Sequence, residues 1–127
     1  FLRISYISVQ MNDLIYHICR RDEWEGALEK GCYAGSSQDL EDGFIHFSTA
    51  KQVRNSAAKH RAGQAGLVLL TVDTNALEDI LRWEPSRSGM LFPHVYGILD
   101  VSAVLRTDPI DLNSIGLHVF PGSVPEG

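Results

Sequence analysis

The chain has 127 residues, which suits one domain with a single hydrophobic core and leaves little room for a second. Its formal net charge of −5 offers no basic face to a long nucleic acid, and no apolar run is long enough to span a membrane. Cys19 and Cys32 are the only cysteines and form no metal-type motif, so we expect two free thiols in a reducing, cytoplasmic compartment.

The first ten residues, FLRISYISVQ, stand apart from the rest of the chain. They contain one arginine and no long apolar segment, so they do not resemble a secretory signal peptide. Met11 begins the stretch MNDLIYHI, which has the character of a natural start. We therefore treat residues 1–10 as an N-terminal extension that need not be native, and residues 11–127 as a single domain.

The first half of the domain alternates between predicted strands and helices. A strand over 14–19 (LIYHIC) is followed by a helix that Asp22 caps and Gly31 ends. The polar stretch AGSSQDLEDG is interpreted as a loop, and it leads to a strand over 44–47. Thr49 then caps a second helix.

The second half begins with the clearest strand, LVLLTVD at 67–73, which is too apolar for one face to be exposed and is placed centrally in the sheet. A short helix follows, and residues 82–90 (RWEPSRSGM) are predicted to form a loop. Strands are predicted over 91–97 and 101–107, with Pro93 at a strand start or a sheet edge. The short connections favour an α+β fold with a mixed sheet.

Three of the five histidines lie in predicted strands. His17, His46 and His94 are flanked by large apolar residues, whereas His60 and His118 have polar surroundings and are expected to be solvated. A buried neutral imidazole needs hydrogen-bond partners for both nitrogens, so any one of the three is most simply a satisfied core residue. Their occurrence together predicts a shared site.

Neighbouring side chains could complete such a site. Strand alternation puts His46 and Ser48 on one face, beside a helix N-terminus whose free amides favour an anionic ligand. Glu84 could act as a general base or bind a ribose hydroxyl, although a surface carboxylate is the plainer interpretation of Glu84. Tyr96 could hydrogen-bond a ribose hydroxyl or stack on a base. Arg82 and Arg87 flank Glu84 and could bind phosphate, although such arginines are more often simply solvated. The two tryptophans are expected in the core, at the positions Trp24 and Trp83.

Three chemistries would use the histidines. Zinc held by three imidazoles is one, but their wide spacing matches no local zinc signature, and we expect no metal. Phosphoesterase chemistry, in which one histidine accepts a proton and another donates one, fits His46-Phe47-Ser48 and fits the other two positions only loosely. A pocket for a nucleotide such as NAD is the third. The residues alone leave these alternatives open.

The motifs LIYHIC, GFIHFSTA and FPHVYG together resemble domain-of-unknown-function family 952, over residues 14–104. That family is grouped with ADP-ribosyltransferase-like proteins, so the resemblance implies a split α+β sheet around an NAD-binding cleft. Carried over by position, it implies that His17 holds the NAD ribose and that His46 takes the place of the aromatic residue that stacks on nicotinamide. His94 stands where typical ADP-ribosyltransferases have a glutamate. That departure weighs against ADP-ribosyl transfer and less against a reaction like that of the RNA 2′-phosphotransferases.

We therefore expect an ADP-ribosyltransferase-like α+β domain with a mixed, split sheet, flanking short helices and a histidine-lined cleft. The cleft would bind NAD or a related small nucleotide, and any reaction would occur at the nicotinamide riboside or at a phosphate. The expected catalytic residues are His46 and His94, and the expected ligand contacts are His17, Ser48, Tyr96 and Glu84. A non-catalytic binding module that kept the cleft and a histidine-based phosphoesterase are the alternatives.

Overall fold

The computed structural model describes residues 13–86 and 88–125, so the predicted extension lies outside the described residues. The strands are β1 (Leu14–Arg20), β2 (Cys32–Tyr33), β3 (Ile45–His46), β4 (Leu67–Asp73), β5 (Leu81–Pro85), β6 (Leu91–Val95), β7 (Leu99–Asp100) and β8 (Val104–Pro109). The helices are α1 (Arg21–Lys30), α2 (Ser37–Asp42) and α3 (Ala50–His60), with short 3₁₀ helices at Thr74–Leu77 and Val101–Ala103. Within the described residues, no helix has the length and apolar character needed to cross a membrane.

The strands form three small sheets, with the orders β1-β4-β8, β2-β7 and β3-β6-β5. The prediction of an α+β fold with a divided sheet and short flanking helices is confirmed. Every pairing between the described strands is antiparallel, rather than of mixed direction. Most of these pairs join strands that are far apart along the chain, and a hydrophobic pattern within one strand carries no information about the direction of such a partner.

The core lies on both faces of β4, which is the middle strand of its sheet, as its apolar sequence predicts. All residues of β4 are buried. Leu67 and Leu69 belong to a hydrophobic cluster that includes α3 residues, whereas Val68 and Leu70 belong to the cluster that includes α1 residues. Each fully buried leucine stabilises the fold by about 1.5–3 kcal/mol relative to an exposed one, so β4 holds the two layers together.

The helix ends agree in part with the predicted caps. Gly31 ends α1 with a left-handed φ of 85°, and Thr49 immediately precedes α3, as predicted. Arg20, rather than Asp22, is the N-cap of α1. The carboxylate of Glu23 accepts a hydrogen bond from the backbone N–H of Arg20 at 2.9 Å, so the helix begins directly at the end of β1.

Two stretches interpreted as loops contain regular elements. The polar stretch at 34–43 holds α2, which begins after Ser36 and ends at Gly43 with a φ of 88°. The stretch at 82–90 holds most of β5. Pro85 indicates a break in a helix but not in a strand, since proline is tolerated at the end of an edge strand.

The expected placement of two further residues is wrong. Trp24 is buried as predicted, but Trp83 is 45% exposed because it lies on β5, an edge strand with mostly exposed residues. Pro93 lies inside β6, the middle strand of its sheet, and not at a strand start or a sheet edge. Its carbonyl accepts a hydrogen bond from the backbone N–H of Phe47 at 3.0 Å, which keeps the chain beside β6 despite the missing amide donor.

Candidate functional site

Three neighbouring strands place two histidines and an arginine in one row. His46 on β3 lies directly opposite His94 on β6, and His94 lies directly opposite Arg82 on β5. Residues directly opposite each other in antiparallel strands share a face of the sheet. The two imidazole centroids are 5.5 Å apart, with their planes at 70°. We call this surface the histidine face, formed by Phe44, His46, Arg82, Glu84, His94 and Tyr96.

Helix α2 holds His46 through two carboxylates. The Nδ1 of His46 donates to Oδ1 of Asp39 at 2.6 Å, and the backbone N–H of His46 donates to the same oxygen at 3.1 Å. Its Nε2 lies 3.1 Å from Oδ2 of Asp42. The His46 side chain is 40% exposed, so a solvent-accessible imidazole has a carboxylate near each ring nitrogen.

Asp39 is a buried carboxylate, only 3% exposed. Its Oδ2 accepts hydrogen bonds from the backbone N–H of Ser36 at 2.7 Å and from the Ser36 hydroxyl at 3.0 Å. Burial alone would raise the pKa of Asp39, but the hydrogen bonds from His46 and Ser36 outweigh burial and hold that pKa well below its ordinary value. Asp39 is therefore a fixed negative charge behind His46.

Sequence reasoning missed Asp39 because it lies in the stretch interpreted as a loop. A signal was present, since Ser36 and Asp39 have the three-residue spacing of a capping box. Gly35 adds a second constraint. Its φ is 108°, and a Cβ at this position would lie 2.6 Å from the Cβ of Asp39, so only glycine fits beside the carboxylate.

Glu84 holds His94 in a second histidine–carboxylate pair. The Nδ1 of His94 and the hydroxyl of Tyr96 both donate to Oε1 of Glu84, each at 2.7 Å. These two hydrogen bonds hold the pKa of Glu84 below its ordinary value. The His94 side chain is 14% exposed, and no hydrogen bond among the described residues uses its Nε2. That nitrogen is available to a ligand.

Aromatic rings surround the imidazole pair. Phe44 stacks on His94 with a centroid distance of 4.1 Å and packs against His46 at 4.5 Å. The ring of Tyr96 lies 5.2 Å from that of Phe44, and the guanidinium carbon of Arg82 lies 5.6 Å from the centre of the Tyr96 ring. These contacts restrict the planes of both imidazoles.

His17 lies in the interior, 3% exposed, beneath the histidine face. Its Nδ1 donates to the carbonyl of His46 at 2.5 Å, and its Nε2 accepts from the hydroxyl of Tyr33 at 2.7 Å. Burial lowers the pKa of His17, which favours the neutral ring that this arrangement needs. Both nitrogens are occupied, so His17 supports the backbone of His46 and does not line the accessible surface.

Ser48 also lies away from the accessible surface. It is 8% exposed, and its hydroxyl donates to that of Ser56 on α3 at 3.2 Å. Its backbone exchanges two hydrogen bonds with that of Tyr16, both at 2.8 Å, and this bridge is what brings β1 beside the end of β3. The structure thus gathers His46, His94, Glu84 and Tyr96 on one face, with His17 beneath and the Ser48 hydroxyl directed to α3.

Two hollows on the described surface lie away from the histidine face. One of about 500 Å³ is lined by residues that include Asp108 and Phe120, and one of about 270 Å³ by residues that include Arg54 and Leu117. Neither includes His17, His46 or His94 in its lining. Among the described residues, no three His, Cys, Asp or Glu side chains are grouped so that they could hold a metal ion.

Comparisons with known proteins agree with this fold. The family model described as "Protein of unknown function (DUF952)" matches residues 18–107. The crystal structure of protein CC0527 from Caulobacter crescentus is 47% identical, with a TM-score of 0.80, and the match covers 84% of this chain and 93% of that chain. The solution NMR structure of CC0527 is 48% identical, with a TM-score of 0.75, and the match covers 83% of this chain and 90% of that chain. No functionally curated protein matches the chain.

Proposed function

The chain belongs to the DUF952 family of proteins of unknown function, and we propose that its histidine face is a centre for acid–base chemistry on a small nucleotide. In this proposal His46 is the proton donor and His94 is the proton acceptor. The observation that supports it most strongly is the pair of imidazoles 5.5 Å apart, each with its Nδ1 bound to a different carboxylate. Histidine is the side chain that most often transfers protons in enzymes.

The surroundings of the two rings suggest which one donates. A carboxylate at Nδ1 fixes the tautomer of a histidine and leaves Nε2 for the reaction. The Nε2 of His94 has no partner among the described residues, so it can accept a proton. The Nε2 of His46 lies near Asp42 as well, and a doubly protonated ring donates to a carboxylate at each nitrogen. This arrangement suits a proton donor.

The reaction that this pair supports is substitution at the phosphorus of a phosphate ester. His94 takes the proton of an attacking water or hydroxyl as the new oxygen–phosphorus bond forms. His46 gives a proton to the leaving oxygen as its bond to phosphorus breaks. One proton is taken up and one is released, so a second proton exchange with solvent restores both rings.

NAD and its relatives are the first ligands to test. The resemblance to ADP-ribosyltransferase-like proteins implies them, and Phe44 and Tyr96 offer partly accessible aromatic rings beside the imidazoles on which a base or nicotinamide could stack. The ADP-ribosyltransferase-like architecture is part of the same proposal and rests on that resemblance. The alternative of a non-catalytic binding module would use the same face without turnover.

The test is a turnover assay with a panel of nucleotides. Purified protein is incubated with NAD, ADP-ribose, 2′-phosphorylated nucleotides and 2′,3′-cyclic nucleotides, and the products are identified by chromatography. We expect turnover of at least one phosphate ester, with a loss of about 10²–10⁴-fold in His94→Gln. The matched control is His60→Gln, which removes an exposed imidazole at the end of α3 and should leave the rate unchanged.

The other possible results of this assay would each contradict part or all of the proposal. Binding without turnover would support the non-catalytic module and contradict the acid–base centre. Turnover that persists in His94→Gln would show that His94 is not the proton acceptor. A panel in which no nucleotide binds or reacts would contradict the proposal as a whole.

A further inference from the structure

Arg82, unlike Arg106, makes no hydrogen bond to the carboxylate two residues further along its strand. On β8, Arg106 and Asp108 are two residues apart, and the guanidinium binds the carboxylate through two hydrogen bonds of 2.9 and 3.0 Å. On β5, Arg82 and Glu84 have the same spacing, yet no hydrogen bond or ion pair joins them. Oε1 of Glu84 is used by His94 and Tyr96 instead, so the guanidinium of Arg82 has no hydrogen bond or close ion pair to a carboxylate among the described residues. Its charge still helps the hydrogen bonds from His94 and Tyr96 to lower the pKa of Glu84.

Arg82 lies on the histidine face, close to the residues that hold His94. Arg82 is exposed, and it lies directly opposite His94 on the neighbouring strand. Side chains opposite each other in an antiparallel pair have Cβ atoms about 4.5–5.5 Å apart. Its guanidinium carbon lies 5.6 Å from the ring centre of Tyr96, whose hydroxyl shares Glu84 with His94. The guanidinium therefore lies over the Tyr96 ring, on the same face of the sheet as the imidazole pair.

The histidine face offers several hydrogen-bond donors to a phosphate group. Arg82 has the N–H groups of a planar fork, and His46, the proposed proton donor, carries a proton on each ring nitrogen in its acidic form. The nearby carboxylates of Asp39 and Glu84 are engaged at the Nδ1 atoms of the two histidines, and that of Asp42 lies 3.1 Å from the Nε2 of His46. Phosphate oxygens only accept hydrogen bonds, and a guanidinium can bind two of them at once.

We infer that Arg82, together with His94 and His46, forms an anion subsite that takes the phosphate group of the substrate. The inference rests on the proposed acid–base function, whose substrate is a phosphate ester, and adds the residue that binds and positions the phosphate group. Arg82 holds two phosphate oxygens, and the phosphorus then lies beside the Nε2 atoms that exchange protons. Uncharged nucleosides lack the group that this subsite recognises.

Binding of inorganic phosphate tests the subsite without turnover. The probe is titrated into the protein while the imidazole signals of His94 and His46 are followed by NMR, and AMP is compared with adenosine in parallel. We expect phosphate and AMP to bind and to shift both rings, and adenosine to bind at least tenfold more weakly than AMP. Arg82→Gln should weaken phosphate binding about tenfold or more, since one charge-assisted pair is lost. The phosphate affinity of Arg82→Lys should lie between those of the wild type and Arg82→Gln, because lysine keeps the charge but lacks the planar fork of N–H donors.

Arg106→Gln is the matched control, because it removes an exposed strand arginine from the other three-stranded sheet and should leave phosphate binding unchanged. Unchanged phosphate affinity in Arg82→Gln, absence of phosphate binding in the wild type, or equal affinity for AMP and adenosine would each overturn the subsite. Phosphate binding that depends on Arg82 without turnover of any nucleotide would retain the subsite and contradict the acid–base centre. Turnover that does not depend on Arg82 would retain the acid–base centre and contradict the subsite.

Discussion

The Nδ1 of His46 donates to the buried carboxylate of Asp39 at 2.6 Å, and this contact connects an accessible imidazole to the interior of the protein. The same carboxylate accepts two hydrogen bonds from Ser36, at the start of the six-residue helix α2. His17 supports His46 from the other side through the His46 carbonyl. The position of the candidate proton donor thus depends on two buried polar residues that do not reach the surface.

Asp39→Asn should destabilise the protein, because the amide has nearly the size of the carboxylate but lacks its charge. A hydrogen bond to a charged group contributes about 1.5–3 kcal/mol, and we expect the free energy of unfolding in urea to fall by about 2 kcal/mol at neutral pH. The control is Asp42→Asn, at a partly exposed position one turn later, which should change stability by less than about 0.5 kcal/mol. Equal stability of the two variants would contradict the structural role of Asp39.

His17 should make the stability of the protein sensitive to mild acid. Burial lowers its pKa, so between the folded-state pKa and the ordinary value of about 6.5 the unfolded state binds more protons than the folded state. The contribution of His17 is therefore fully present above about pH 6.5 and is lost as pH falls, with a slope of at most about 1.4 kcal/mol per pH unit. The depressed pKa of Asp39 gives a separate loss at lower pH, below about 3.9.

Urea denaturation at a series of pH values measures the free energy of unfolding across both pH ranges in which stability is lost. His17→Gln keeps a hydrogen-bonding side chain but cannot titrate, so it should lack the wild-type loss of stability just below about pH 6.5. A variant that shows the wild-type slope in that window would contradict the assignment of the slope to His17.

Gly35→Ala should disturb α2 more than any exposed substitution. The left-handed φ of 108° strains alanine, and its Cβ would meet that of Asp39 at 2.6 Å, so the helix must shift or the backbone must change. We expect a clear drop in the unfolding temperature and a change in the NMR chemical shifts of the His46 ring. Gly26→Ala is the matched control inside α1. No atom lies within 4 Å of its added Cβ, and alanine should stabilise the helix by about 0.5–1 kcal/mol.

Glu84→Gln should lower the pKa of Tyr96. The hydrogen bond to the Glu84 carboxylate, together with the charge of that carboxylate, raises the pKa of Tyr96 because ionised tyrosine would lose this acceptor and face a like charge. An NMR titration of the Tyr96 ring should therefore show ionisation at a lower pH in the variant than in the wild type. A pKa of Tyr96 that does not move would mean that the 2.7 Å contact does not persist in solution.

The sequence predicts those parts of the fold that depend on local pattern. The apolar run of β4 identifies a central strand, and Thr49 and Gly31 mark helix ends because capping depends on residue type. β5 escapes prediction because Pro85 and its polar neighbours look like a loop, and only the pairing with β6 makes them a strand. Trp83 shows the same difficulty, since its exposure follows from the edge position of β5.

The site shows a similar division. The three histidines are evident as imidazoles among apolar residues, but nothing local separates buried His17 from accessible His46. The row formed with Arg82 depends on the register between strands distant in sequence, which one sequence does not reveal. Asp39 lies in a stretch whose polar residues indicate a loop, even though its spacing from Ser36 indicates a capping box.

The most direct test of the acid–base pair is a comparison of single-turnover rates on the phosphate ester that the panel identifies. The enzymes compared are the wild type, His46→Gln, His94→Gln and the double variant. We predict that each single variant loses about 10²–10⁴-fold and that the double variant loses little more, because the two rings act as one unit. Single variants that retain the wild-type rate, or losses that multiply in the double variant, would contradict a coupled pair.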